Sequence, residues 1–175
     1  LKTAKSSEKR WSKGKTLGPL DGVPTTIKDM VQTKGMPTRM GSAATAPDGP
    51  WENDGPSAAR LRESGAVLLG KTTSPEYGWK GVTDSALFGA THNPWKIGRT
   101  PGGSSGGGVA AEAVGMGNLA VGTDGAGSVR IPCSFTGLFG LKPTQARVPL
   151  FPPSAQGTLS HIGPMTRTVR DAALM

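Results

Sequence analysis

The chain is poor in the residues from which disulfides and metal sites are built. Its 175 residues include one cysteine, Cys133, and two histidines, His92 and His161. A single thiol excludes an internal disulfide, and no Cys or His spacing suits a metal ion. No apolar run approaches the ~18 residues of a membrane-spanning helix, and no leader pattern opens the sequence. No stacking platform or recognised nucleic-acid module is visible either. These absences imply a cytoplasmic protein with no cofactor, no metal, no membrane partner and no nucleic-acid partner, and they leave a homo-oligomer open.

Glycine (27) and proline (15) are plentiful, so the chain is rich in turns, while its length suffices for one domain with a real core. The apolar runs 66–69, 119–121 and 138–141 read as strands of a buried sheet. The net charge of +8 is unevenly spread. Residues 1–16 carry six Lys or Arg against Glu8 alone, and the other 159 residues carry 14 basic and 11 acidic side chains. The division is therefore a basic N-terminal segment, 1–16, read as a solvated arm, and a domain over 17–175. The sequence begins at Leu1 and ends at Met175 about two turns into a helix opened by the Thr168–Asp171 capping box, so the expectation is a piece of a longer protein.

Residues 23–27 read as a short strand ending at Lys28 and Asp29. Pro56 opens a helix with Gly65 as its C-cap, and AVLLGKT follows as a strand. In the turn-rich passage 73–99, Tyr77, Trp79, Phe88 and Trp95 are expected to pack a core or line a cavity. Residues 145–167 read as loop.

Three motifs invite a function. Gly65-Ala-Val-Leu-Leu-Gly70-Lys71-Thr72 fits the phosphate-loop pattern by letter, but its apolar interior follows a helix and reads as a strand, the reverse of the order a phosphate loop needs. Gly102-Gly-Ser104-Ser-Gly106 fits the nucleophile elbow G-x-S-x-G, with Asp124 and His161 following in the order that mechanism uses. No apolar strand leads into Ser104, however, and His161 falls in the stretch read as loop. The S-x-x-K pairs at Ser6/Lys9 and Ser12/Lys15 lie in the charged segment, where nothing would bury the lysine.

The richest stretch is Thr100–Thr144. It holds two glycine-wrapped serines, Ser104 in GGSSGGG and Ser128 in GTDGAGS, separated by a predicted helix and a predicted strand. Glycine allows sharp turns and close approach of other groups, which makes each serine a candidate nucleophile. If the base is not histidine, a lysine deprotonated by burial can serve. Lys28, at the end of its strand, is the candidate, and pairing with Asp29 is its structural alternative.

GVPTTIKD, TPGGSSGG and GTDGAGSVRIP together resemble the amidase signature family. The resemblance continues through GAVLLGKTTSPEYG, FGATHNPW, GLFGLKPT and SHIGPMTRTVRDAAL, in order, from Leu17 to Met175. It implies an α/β three-layer fold, a mixed β-sheet flanked by helices, with only the N-terminal to central part present. It implies hydrolysis of a carboxylic amide through an acyl-enzyme, with esters open as a further substrate class. In that scheme Ser128 is the nucleophile, Ser104 the bridging serine behind a cis bond from Gly103, and Lys28 the base. The N–H groups of Gly125, Ala126, Gly127 and Ser128 would form the oxyanion hole, at the start of a helix expected from Ser128. Ser105 would support the relay, Asp124 and Arg130 would brace the loop, and Ala126 stands where many members carry glycine. The implied partner is a small-molecule amide. The same resemblance admits the glutaminase (A-type) subunit of a tRNA-dependent amidotransferase, or a catalytically inactive amidase fragment.

Overall fold

A computed structural model describes residues 1–175. Its centre is a five-stranded sheet in the order β2-β1-β5-β7-β6, formed by β1 (Pro24–Lys28), β2 (Val67–Thr72), β5 (Leu119–Asp124), β6 (Phe139–Gly140) and β7 (His161–Thr166). β1 runs parallel to β2 and β5, whereas β7 is antiparallel to β5 and β6, so the sheet is mixed. A small hairpin, β3 (Asp84–Ser85) with β4 (Gly89–Ala90), stands apart.

Strand alternation sends the two faces of this sheet to different uses. Ile27, Leu119, Val121 and Ile162 point to one side and pack with Leu20, Ala58 and Leu61, the last two from α2 (Pro56–Glu63). A cavity of about 800 Å³ opens on this apolar side, lined by residues that include Leu61, Val121, Val148, Phe151 and Ile162. On the other side Ala120 and Met165 pack with Val109 of α3 (Gly106–Ala113) and with Val129 and Cys133, next to and within α4 (Arg130–Thr136). Lys28 shares that second side, and it lies at the carboxyl end of its strand. In parallel sheets that is where ligand sites gather.

Several expectations change. The segment 1–16 is not a free arm: α1 (Lys2–Trp11) docks through Arg10, which holds Asp21 in a two-pronged ion pair at 2.6 and 2.7 Å, and through Trp11 Nε1, which donates to Asp21 O. Charge composition masked this anchor because only one of the six cations makes it. Residues 161–166, read as loop, form β7; Gly163 and Pro164 break the residue pattern of a strand, yet Pro164 O accepts from Leu141 N–H and the pairing survives. Tyr77, Trp79, Phe88 and Trp95 neither plug a core nor enclose a cavity: they are 50, 78, 43 and 65% exposed. The 65–72 stretch is a turn and strand, with no phosphate-loop geometry. The Thr168 cap forms as expected, its Oγ1 accepting Asp171 N–H at the start of α5 (Val169–Leu174).

Candidate active site

Lys28 is fully buried, and its ammonium position is defined by two hydroxyls: Nζ donates to Ser104 Oγ at 2.7 Å and to Thr123 Oγ1 at 2.8 Å. Burial lowers its pKa from 10.5 to about 7, against a smaller upward pull from Asp124. Burial thus brings the neutral amine, which can accept a proton, within reach near neutral pH. The alternative partner is engaged elsewhere. Asp29 accepts the backbone N–H groups of Arg39 and Gly41 at 2.9 and 2.8 Å and so shapes the following loop.

The glycines around Ser104 answer to close packing. The Gly103–Ser104 peptide bond is cis. A Cβ on Gly103 would meet the Val82 backbone, and one on Gly78 would come within 3.3 Å of Ser104 Oγ. Thr83, buried, ties both ends of the serine loop by donating to Gly102 O at 2.9 Å and accepting Gly106 N–H at 3.0 Å. Ser105 is also buried. Its N–H donates to Ser128 O at 3.2 Å, and its hydroxyl bridges Thr123 N–H and Thr123 O, both at 3.3 Å. The two serine loops are thus joined main chain to main chain.

The second loop is built around Asp124. Its carboxylate accepts Gly127 N–H at 2.7 Å and Val129 N–H at 3.1 Å, and Arg130 grips it with two bonds of 2.9 and 3.0 Å. Burial alone would raise the Asp124 pKa, but Arg130 and the backbone donors outweigh it and hold the value at about 2. Ser128 is half-buried, and its hydroxyl makes no hydrogen bond within the protein, including none to Ser104. α4 begins at Arg130, two residues later than expected, so Ser128 sits in the loop itself. One expected oxyanion donor is already used: Gly127 N–H belongs to Asp124, which leaves the N–H groups of Gly125, Ala126 and Ser128 without protein acceptors.

The elbow alternative does not assemble. His161 Nδ1 lies 2.8 Å from Leu159 O and 3.3 Å from Asp124 O, and its Nε2 lies 3.4 Å from Lys142 Nζ. It touches neither serine. Thr123 and Thr83 were missed from sequence. Thr123 precedes Asp124 in GTDGAGS and could have been flagged by that position; Thr83 carries no local signal, because its partners lie 19 and 23 residues away.

The family model for Amidase matches residues 1–175. The chain is 49% identical over 173 residues to the putative amidase AmiB2 of Mycobacterium tuberculosis (strain ATCC 25618 / H37Rv), covering 98% of this chain and 37% of that protein. It is 46% identical over 156 residues to the A-type subunit of the glutamyl-tRNA(Gln) amidotransferase from Maridesulfovibrio salexigens, covering 89% and 32%. Among solved structures, the 6-aminohexanoate cyclic dimer hydrolase complexed with substrate superposes with a TM-score of 0.86 at 37% identity, over 98% of this chain and 36% of that one. The chain thus spans about a third of the length of these relatives.

Proposed function

Since the chain belongs to the amidase family, we propose that it carries the acyl-transfer machinery of an amidohydrolase acting on a small carboxylic amide. The observation that supports this reading most is the fully buried Lys28 amine, with a pKa near 7, 2.7 Å from Ser104 Oγ. Neutral Lys28 takes a proton through Ser104 as Ser128 Oγ bonds to the amide carbonyl carbon. The proton returns along the same path to the departing amine when the C–N bond breaks. Water then enters, gives its proton to the relay and splits the acyl ester, restoring Ser128 and releasing the acid. Ser105 keeps the two loops in register, and free N–H groups of the Gly125–Ser128 loop stabilise the oxyanion. No helix is long and apolar enough to cross a membrane; burial pushes the Cys133 thiol up to about 12 and leaves it no part in this chemistry.

The relative in the amidotransferase gives a second reading some support: the same chemistry releasing ammonia from glutamine inside a larger assembly. Treatment with a fluorophosphonate followed by peptide mapping tests the first step common to both. The expected result is a label on Ser128 that disappears in Lys28→Ala. Labelling of Ser104 in a His161-dependent manner would instead revive the elbow mechanism. Ammonia release from free glutamine, compared with release from simple aliphatic and aryl amides, separates the two substrate classes.

A further inference from the structure

The relay needs the Ser104 and Ser128 hydroxyls to meet, and a proton passes between two oxygens only when they stand about 2.5–3.0 Å apart. Ser105 ties the two loops together on one side: its N–H donates to Ser128 O at 3.2 Å and its hydroxyl bridges Thr123 N–H and Thr123 O. All of these ties spring from one residue, and the loops can pivot about it. A second contact lies just ahead of each serine, at Gly102 and Gly127, and one side chain makes both halves of it. A Cβ on Gly127 would meet only Ile131, with Cδ1 at 2.8 Å and Cγ1 at 3.0 Å. One on Gly102 would stand 3.2 Å from Ile131 Cγ2, beside the Pro132 backbone, and one on Gly81 would stand 3.8 Å from Ile131 Cδ1. Gly102 and Gly127 take φ of +83° and +118°, so the chain presents bare backbone to Ile131 at both points. Ile131 is half-buried, belongs to neither apolar core and sits in the first turn of α4. A β-branched side chain on a helix keeps essentially one χ1 rotamer, which makes it a stiff spacer. The Gly127 end is fixed within its own loop, because Ile131 N–H donates to Gly127 O at 2.7 Å and Asp124 takes Gly127 N–H. What the side chain adds is the distance from there to the Ser104 loop.

We propose that Ile131 is a positioning residue whose side chain, wedged between Gly102 and Gly127, sets the separation of the two serine loops and with it the reach of Ser104 Oγ to Ser128 Oγ. The inference rests on the acyl-enzyme reading above. Ser105 and Ile131 hold the loops at two points, one polar and one apolar, and two points fix an orientation that one cannot. The contact with Gly81 extends the wedge to the stretch from which Thr83 ties both ends of the Ser104 loop. No bond forms or breaks at Ile131. It acts on the geometry in which Ser128 gives up its proton and attacks, so its contribution belongs to kcat.

The test compares the full chain with Ile131→Ala and Ile131→Val, using an amide substrate and a small fluorophosphonate, with every rate expressed per folded molecule. In Ile131→Ala, kcat and the rate of Ser128 labelling are expected to fall together by about 10- to 10²-fold, with KM changed by less than about twofold. Ile131→Val keeps the two γ-carbons that face Gly102 and Gly127 and should retain most of the activity. The acid limb of the kcat/KM profile, which Lys28 sets, should stay in place in Ile131→Ala. A loss of stability with kcat per folded molecule unchanged would overturn the proposal by assigning Ile131 to packing. A rise in KM alone would overturn it in favour of a substrate-contacting wall. An acid limb displaced upward would overturn it too, by showing that the side chain shields Lys28 from water. If wild-type Ser128 takes up no fluorophosphonate, the acyl-enzyme reading itself fails and this inference with it. A labelled wild type with an indifferent Ile131→Ala removes only the inference.

Discussion

The two faces of the central strands are made from neighbouring residues and have opposite chemistry. On one face Ile27, Leu119, Val121 and Ile162 form the larger apolar core against α2. On the other, one residue along β1, Lys28 is buried without an acidic partner in hydrogen-bond reach and depends on Ser104 and Thr123. Glu112 of α3 lies buried on the α3 side as well, with neither carboxylate oxygen hydrogen-bonded and the Arg167 guanidinium 3.6 Å away. Hydrophobic burial stabilises the first face. The second accepts the cost of desolvated polar groups, which is how a lysine becomes a base near neutral pH. A period of two lets one short strand serve both needs.

The largest effect should come from the polar face. Lys28→Met is expected to reduce amide turnover by about 10³-fold, measured under saturating substrate. It should also change how stability depends on pH. The folded pKa, about 7, lies below the ordinary 10.5, so between those values the unfolded chain holds the extra proton and wild-type stability rises with pH. Denaturant titrations across that window should show a steeper rise in wild type than in Lys28→Met, where Lys71, also lowered by burial, still contributes; equal slopes would mean that Lys28 is not buried as an amine.

On the apolar face the balance should reverse. Leu61→Ala, on α2, is expected to cost about 2–5 kcal/mol of stability, with an unchanged rate of fluorophosphonate labelling in the fraction that remains folded. A large loss of labelling at equal folded fraction would break the division between the faces.

Thr123→Val removes one of the two acceptors of Lys28 while preserving shape. Turnover should fall by about tenfold, in keeping with the loss of one hydrogen bond to a charged group of about 1.5 kcal/mol, and Thr123→Ser should restore most of it. No change would assign the positioning of Lys28 to Ser104 alone.

Glu112 gives the most specific effect, one confined to how stability depends on pH. Burial, aided by Asp171 and opposed by Arg167, raises its pKa from 4.5 to about 7. The folded chain then holds the extra proton between those values, so this group makes stability fall as pH rises through the window. Glu112→Gln should flatten that fall, read from unfolding midpoints at pH 5 and pH 8. An unaltered pH profile would show that Arg167 neutralises the carboxylate after all.

Parts of this were legible in the residues. The strands at 67–72 and 119–124 follow from apolar runs, the strand at 24–28 from a short stretch entered through a glycine turn, the helix at 56–63 from its spacing and caps, and the helix at 106–113 from the run GVAAEAVGMG. β7 was not legible, because Gly163 and Pro164 break a strand pattern and only pairing with β5 on one side and β6 on the other holds the segment extended. The exposed Trp79 and Trp95 misled for the opposite reason: composition says what a side chain prefers, whereas its burial depends on what the rest of the chain brings against it.

For the site, residue type and spacing already carry the chemical inventory: two serines on glycine-rich backbone, a lysine ending a buried strand and an aspartate ahead of the second serine. Those are local facts. Which hydroxyls meet the Lys28 amine, that Asp124 consumes one of the four expected oxyanion donors, and that Thr83 ties both ends of the Ser104 loop emerge only in the folded chain. Each of these contacts joins residues on separate elements. Their geometry depends on the order and register of the strands and on desolvation by the layers above them, which no local pattern in the chain encodes.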